Sequence, residues 1–89
     1  MTKQIIIFKA RGCSPCDRLM PLIKGLDSIY NKSIKTDIID INDHPDLAHQ
    51  YNILSTPTIF IVQNGRLLNK IHGFQDRAIR DAYSQLSRF

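Results

Sequence analysis

The sequence predicts an α/β fold: one four-stranded mixed sheet, in the element order β-α-β-α-β-β-α, with helices on both faces. Three observations carry this reading. Short β-branched runs alternate with segments of helical periodicity. The first two runs are joined by a long helical segment, which requires parallel strands and a right-handed crossover. The last two are joined by Asn64-Gly65, a hairpin signal.

Each element has its own justification. Gln4 to Ala10 is β-branched and apolar without alternation, as expected of a strand buried on both faces. Ser14 to Tyr30 reads as a helix. Leu19, Leu22, Ile23, Leu26, Ile29 and Tyr30 recur at steps of three and four and make one apolar face. Pro21 falls inside it and predicts a kink. Ile34 to Ile41 is a second strand. A short helix follows over Pro45 to Tyr51, with Asp43 as its expected N-cap and Pro45 in its first turn. Thr58 to Val62 is the strongest strand signal in the chain. Gln63-Asn64-Gly65-Arg66 turns it, because Asn-Gly tolerates positive φ at both central positions. Leu67 to His72 returns, and Gly73 breaks the strand. Asp76 to Phe89 is a final helix with Ile79, Ala82, Tyr83, Leu86 and Phe89 on one face.

At 89 residues the chain has room for one domain, 1–89. Apolar residues make up 43% and charged residues 22%, a globular composition far from that of disordered chains. No purely apolar run exceeds four residues, the length of Ile5-Ile6-Ile7-Phe8. A membrane span needs roughly 20 residues and a secretory signal at least ~7. The expectation is a soluble cytoplasmic protein without membrane contact. Twelve basic residues against eight acidic ones, all aspartate, give a net charge of +4. That excess is mild and does not indicate nucleic acid as a partner.

The two cysteines are the sharpest signal. Cys13 and Cys16 are separated by two residues and stand between a strand and a helix. A CxxC pair reads as a redox motif or as metal ligands. In the redox reading Cys13 lies at a helix N-terminus, where unpaired N–H groups and the helix dipole favour a thiolate. Its pKa then falls below the free value of about 8.5. Lys9 and Arg11 are close in sequence and could add to that. Cys16 lies one turn further in, so the sulfurs can close a disulfide. Cys13 attacks a substrate disulfide, and Cys16 resolves the mixed disulfide. Pro15 fits the first turn. In the metal reading His44 and His49 would complete a zinc site. However, 27 residues lie between Cys16 and His44, against about 12 in a finger. The intervening strand is also expected to carry the histidines to the far end of the sheet. We therefore expect no metal. Thr56-Pro57 precedes a strand, where proline is ordinarily a structural choice. The alternative is a cis peptide that sets the Thr56 backbone against the CxxC pair.

Taken together, Cys13-Ser14-Pro15-Cys16, Pro21, Tyr51, Ser55-Thr56-Pro57-Thr58, Asn64-Gly65 and Gly73 resemble the thioredoxin family. The likeness runs without gaps from about Ile5 to the C-terminus. It implies a thioredoxin-like fold and a dithiol–disulfide oxidoreductase, with Cys13 as nucleophile and Cys16 as resolving thiol. It implies no cofactor beyond the redox-active Cys13–Cys16 disulfide. It implies a cis Pro57 and a substrate groove lined by Gly12, Ser14, Pro15, Thr56, Pro57 and Gly73. Implied partners are disulfide-containing proteins and a flavoprotein disulfide reductase as electron donor, with the chain a monomer. The alternatives are a glutaredoxin-like hydrogen donor, for example to ribonucleotide reductase, and a non-redox binding module.

The chain departs from the family pattern in several places. Thioredoxins carry an additional N-terminal strand and helix, whereas this chain starts at the next strand, with a glutaredoxin-like length. Gly12 stands where tryptophan usually precedes the first cysteine. The family's buried aspartate falls at Ile7 and its paired lysine at Ile38. Their joint loss leaves no unpaired buried charge and leaves open which group takes the proton from Cys16.

Among the remaining residues, Asp17 is expected to complement the helix dipole, and Arg77, Arg80 and Arg88 to form a solvated face. His72 is expected to be structural. Phe74 either offers apolar contact to partners or packs under the last helix.

Overall fold

The computed structural model describes residues 2–89. The elements are β1 (Lys3–Lys9), α1 (Ser14–Tyr30), β2 (Lys35–Asp40), α2 (Pro45–Gln50), β3 (Thr58–Gln63), β4 (Arg66–His72) and α3 (Asp76–Ser87). Their order and type follow the sequence expectation, and α1 has the expected limits. The helix continues through Pro21.

The strands form one mixed sheet ordered β2-β1-β3-β4. β1 and β2 are parallel, with Ile7 opposite Ile38. β1 and β3 are antiparallel, with Ile5 opposite Ile61 and Ile7 opposite Ile59. This register lines Ile5, Ile7, Ile59, Ile61 and Ile71 along one face, because side chains alternate across a strand. α1 and α3 close that face with Leu19, Ile23, Leu26, Ile79, Tyr83 and Leu86. Each such buried side chain contributes about 1.5–3 kcal/mol. The opposite face carries Phe8, Phe60 and Val62, with Ile6, Ile39, Ile41 and Ile53 packed around them. The Phe8 and Phe60 rings meet edge-on at 5.0 Å. α2 buries no residue fully, so this second layer is thin.

Several expectations fail in detail. Ile29 is 70% exposed. At 100° per residue it stands roughly 90° from the centre of the stripe made by Leu19, Ile23, Leu26 and Tyr30. Phe89 lies beyond the end of α3 and is exposed. Asp43 is not the N-cap of α2. His44 occupies that position and makes no side-chain cap bond. The Asp43 carboxylate is taken instead by the Arg11 guanidinium, a charge-assisted partner stronger than a backbone amide.

The hairpin turn has positive φ at both Asn64 and Gly65, as expected. It is followed by an irregularity that the sequence did not announce. Ile61 pairs with Asn69 but Val62 pairs with Leu67, a bulge that leaves Leu68 without a ladder partner. Asn64 also ties the hairpin to the start of the chain. It accepts the Thr2 N–H at its Oδ1 and donates its own N–H to the Thr2 carbonyl, both at 2.8 Å. Phe74 packs against the α1/α3 core, which decides between its two expected roles. Arg80 pairs with Asp76 one turn back on α3.

Candidate active site

β1 delivers the chain to a three-residue loop, Ala10 to Gly12, and then into α1. Gly12 has φ +71, a left-handed conformation that glycine adopts without a Cβ penalty. That turn sets Cys13 at the N-cap of α1, in an extended conformation. Pro15 falls within the first turn, where its missing N–H is harmless. Cys13 and Cys16 form a disulfide with Cα atoms 5.2 Å apart, inside the range such bonds require.

The two sulfurs are not equivalent. Cys13 is half-buried, whereas Cys16 is 0% exposed. Cys13 Sγ accepts the Cys16 N–H at 3.2 Å. It thereby satisfies one of the unpaired donors of the helix start. When Cys13 carries a thiolate, the same bond is charge-assisted and the dipole adds to it. Asp17 donates its N–H to the Cys13 carbonyl at 3.1 Å, which begins the helix proper.

The second wall comes from the segment before β3. The Thr56–Pro57 peptide bond is cis. The Thr56 carbonyl lies 3.4 Å from Cys13 Sγ, a distance at which a Cys13 thiol can donate to it. Gly73, at φ +80, donates its N–H to the Pro57 carbonyl at 2.8 Å. Thr58 is buried and donates its hydroxyl to the Ser55 carbonyl at 2.7 Å. The fold therefore brings Gly12, Cys13, Ser14, Pro15, Cys16, Thr56, Pro57 and Gly73 to one pole. Leu54, two residues before Thr56, is 88% exposed. His72 is exposed; it pairs with Thr58 across the β3–β4 ladder, and its backbone carbonyl accepts from Gln75 Nε2.

The loop between β2 and α2 also belongs to this pole, against the expectation from sequence. Parallel β1 and β2 leave the sheet at the same end. Ile41 donates its N–H to the Lys9 carbonyl at 2.9 Å, and Arg11 donates its N–H to Asn42 Oδ1 at 2.9 Å. The β2–α2 loop that leads to His44 therefore lies at the Cys13 end of the sheet and not at the far end. Even so, among the described residues no group of three or more His, Cys, Asp or Glu side chains is arranged to hold a metal ion. Arg11 is also less free than the sequence implied. It pairs with Asp43 and lies 3.7 Å from Asp40. Nothing in residue spacing could reveal these contacts, since they cross between two loops.

The positions of the family's buried charge pair are occupied by a matched apolar pair. Ile7 is 0% exposed, and Ile38, its neighbour across the parallel ladder, is 47% exposed at the sheet edge. No helix among the described residues is long and apolar enough to cross a membrane.

The family model for thioredoxin matches residues 1–85. The mitochondrial thioredoxin of Mus musculus is 29% identical over 82 residues, which are 92% of this chain and 49% of that protein. A Staphylococcus aureus thioredoxin is 28% identical over 74 residues, 83% of this chain and 71% of its own length. The chain thus spans about half the length of the mitochondrial relatives it matches. Among solved structures, mitochondrial thioredoxin 3 from Saccharomyces cerevisiae in its oxidized form superposes with a TM-score of 0.86. It is 26% identical, and the overlap covers 93% of this chain and 77% of that one. A chain from work on the thiol resolving mechanism in yeast mitochondrial 1-Cys peroxiredoxin gives 0.88 at 25% identity, covering 94% and 78%.

Proposed function

This chain belongs to the thioredoxin family, and from that premise we propose that it is a dithiol–disulfide oxidoreductase that reduces protein disulfides. One observation carries the reading. The Cys13–Cys16 disulfide pairs a half-buried sulfur at a helix N-cap with a fully buried one. The accessible sulfur attacks and the buried one resolves.

The chemistry balances as follows. The Cys13 thiolate attacks one sulfur of the substrate disulfide. That S–S bond breaks, and the other substrate sulfur leaves as a thiolate. Cys16 then loses its proton and attacks Cys13 Sγ. The mixed disulfide breaks, the second substrate thiolate leaves, and the Cys13–Cys16 disulfide closes. Two electrons have passed to the substrate. A flavoprotein disulfide reductase returns them, and the dithiol needs no other cofactor. Gly12, Ser14, Pro15, Thr56, Pro57 and Gly73 line the groove in which the substrate segment lies, with the Thr56 backbone beside Cys13. The substrates are disulfide-containing proteins. The peroxiredoxin setting of one structural neighbour supports that class. Residues 1–89 act as one monomeric domain, and we place it in the cytoplasm.

The test is a pair of variants. Cys13→Ser should abolish turnover of a protein disulfide, and Cys16→Ser should accumulate a mixed disulfide on Cys13. Turnover that persists in Cys13→Ser would overturn the assignment. Equilibration in defined thiol/disulfide buffers should give a potential of about −220 to −280 mV. A value near the upper end, with faster re-reduction by glutathione than by a flavoprotein, would favour the glutaredoxin-like alternative. Survival of function in a double Cys→Ser variant would favour a binding module.

A further inference from the structure

The loop that carries Cys13 is held on one side by α1 and on the other by a polar cluster. Arg11 reaches into the β2–α2 loop with both its backbone and its side chain. Its N–H donates to Asn42 Oδ1 at 2.9 Å. Its guanidinium pairs with Asp43 and sits 3.7 Å from Asp40. Asp40 is in turn fixed, because Asn42 donates its backbone N–H to Asp40 Oδ1 at 2.9 Å. One residue later Gly12 turns the chain, and the next residue is the attacking cysteine.

We propose that Arg11 is a positioning residue for Cys13. Its backbone and guanidinium latch the Cys13 loop to the β2–α2 loop, and Asp40 and Asp43 set how much of its positive charge reaches the sulfur. The inference rests on the reading of Cys13 as the attacking thiol. Arg11 with the two aspartates carries a net charge of −1 beside the site. Without Arg11 the charge becomes −2 and the Cys13 thiolate is disfavoured. Without the Asp43 charge it becomes 0 and the thiolate is favoured. Lys9, Asp17, His44 and His72 share this pole. They are unchanged in every variant below, so their effects cancel in the comparison.

The size follows from Coulomb's law. For a solvent-exposed charge on the order of 8 Å from a thiolate, that is about 0.5 kcal/mol in water, roughly a twofold change in thiolate fraction. A purely mechanical latch would not respond to salt. An electrostatic one is screened, since the Debye length falls from about 10 Å at 0.1 M to about 3 Å at 1 M.

The experiment is the pH dependence of iodoacetamide alkylation of the reduced protein, at low and high salt. Buried Cys16 is silent, so the rate reports Cys13. Below the midpoint, Arg11→Gln should slow alkylation about twofold, and Asp43→Asn should speed it about twofold. The double variant keeps a net charge of −1 and should return to the parental rate. Both single-variant differences should collapse in 1 M salt. Asp43→Asn alone decides the matter if Arg11→Gln does not fold. Equal rates, or differences that persist in 1 M salt, would overturn the inference while leaving Cys13 as nucleophile. A parental profile with no midpoint below that of a free thiol would overturn both readings.

Discussion

Removing one oxygen from Tyr83 should uncouple α3 from the edge strand β2. Tyr83 is 0% exposed, and its hydroxyl shares a 2.8 Å hydrogen bond with Thr36. Its ring lies 5.7 Å from that of Tyr30. Tyr83→Phe keeps the ring, its burial and the Tyr30 contact. The loss is therefore one hydrogen bond, worth about 1 kcal/mol. It is not much more, because half-buried Thr36 on an edge strand can turn its hydroxyl to water. For a domain of this size that lowers Tm by about 4–8 °C. A second signature comes from proton linkage. Burial pushes the Tyr83 phenol above its ordinary value. The Thr36 bond opposes that shift and the Asp27 carboxylate adds to it. The folded state then holds the phenolic proton more tightly than the unfolded state does. The contribution is fully present below about pH 10 and is lost as pH rises through the folded value. Denaturant titrations from pH 7 to 11 should show wild-type stability falling more steeply above pH 10 than that of Tyr83→Phe. Parallel curves would refute the burial argument. A stability loss below about 0.3 kcal/mol at pH 7 would refute the hydrogen-bond argument.

Other outcomes follow from single contacts. Ile7→Asp places a carboxyl where the side chain is 0% exposed. Holding it neutral at pH 7 costs about 1.4 kcal/mol per pH unit above its unfolded pKa, so roughly 4 kcal/mol in all. The variant should lose much less stability at pH 4 than at pH 7, and equal losses in urea melts would contradict this. Asn64 combines φ 52 with an Oδ1 that accepts the Thr2 N–H. Asn64→Gly removes only the bond and should cost about 1 kcal/mol. Asn64→Ala adds the left-handed strain, about 1–2 kcal/mol more, and thermal melts of the two should rank in that order. Leu19→Ala in the α1 core should cost about 2–5 kcal/mol, read as a fall in the denaturant midpoint at unchanged slope.

Much of this molecule can be read in its sequence, and the misreadings have definite causes. α1 was legible because seventeen residues carry a clear stripe and a start signal. Ile29 was misassigned because periodicity gives the direction of a face but not its width. The hairpin was legible from Asn64-Gly65, yet the bulge at Ile61/Val62 was not. Leu67-Leu68 gives no alternation against which a slip would show. At the site, Cys13, Cys16 and Thr56-Pro57 were legible as a motif. The Arg11, Asn42 and Asp43 contacts were not. Asp43 looked like a cap because its helix follows at once, and only the parallel register of β1 and β2 brings a guanidinium to it.

That same register bears on the hardest step of the proposed reaction, the loss of the Cys16 proton. Cys16 is fully buried, and burial in apolar surroundings raises a thiol's pKa. The neighbours that supply charge in the family pattern are Ile7 and Ile38, paired across the β1–β2 ladder. Among the described residues no buried side-chain oxygen or nitrogen lacks a hydrogen-bond partner. Among the described residues the buried polar or charged set is Thr58, so no carboxylate, imidazole or amine is buried to act as a base beneath the sulfur. The proton must leave on the solvent side, to water or to the departing substrate thiolate. The first attack depends on Cys13 and its helix N-terminus. The second depends on the basicity of the group it expels. Charge management in this protein thus lies at the rim, in the Cys13 N-cap and the Arg11 cluster, while the sheet beneath buries no charged side chain.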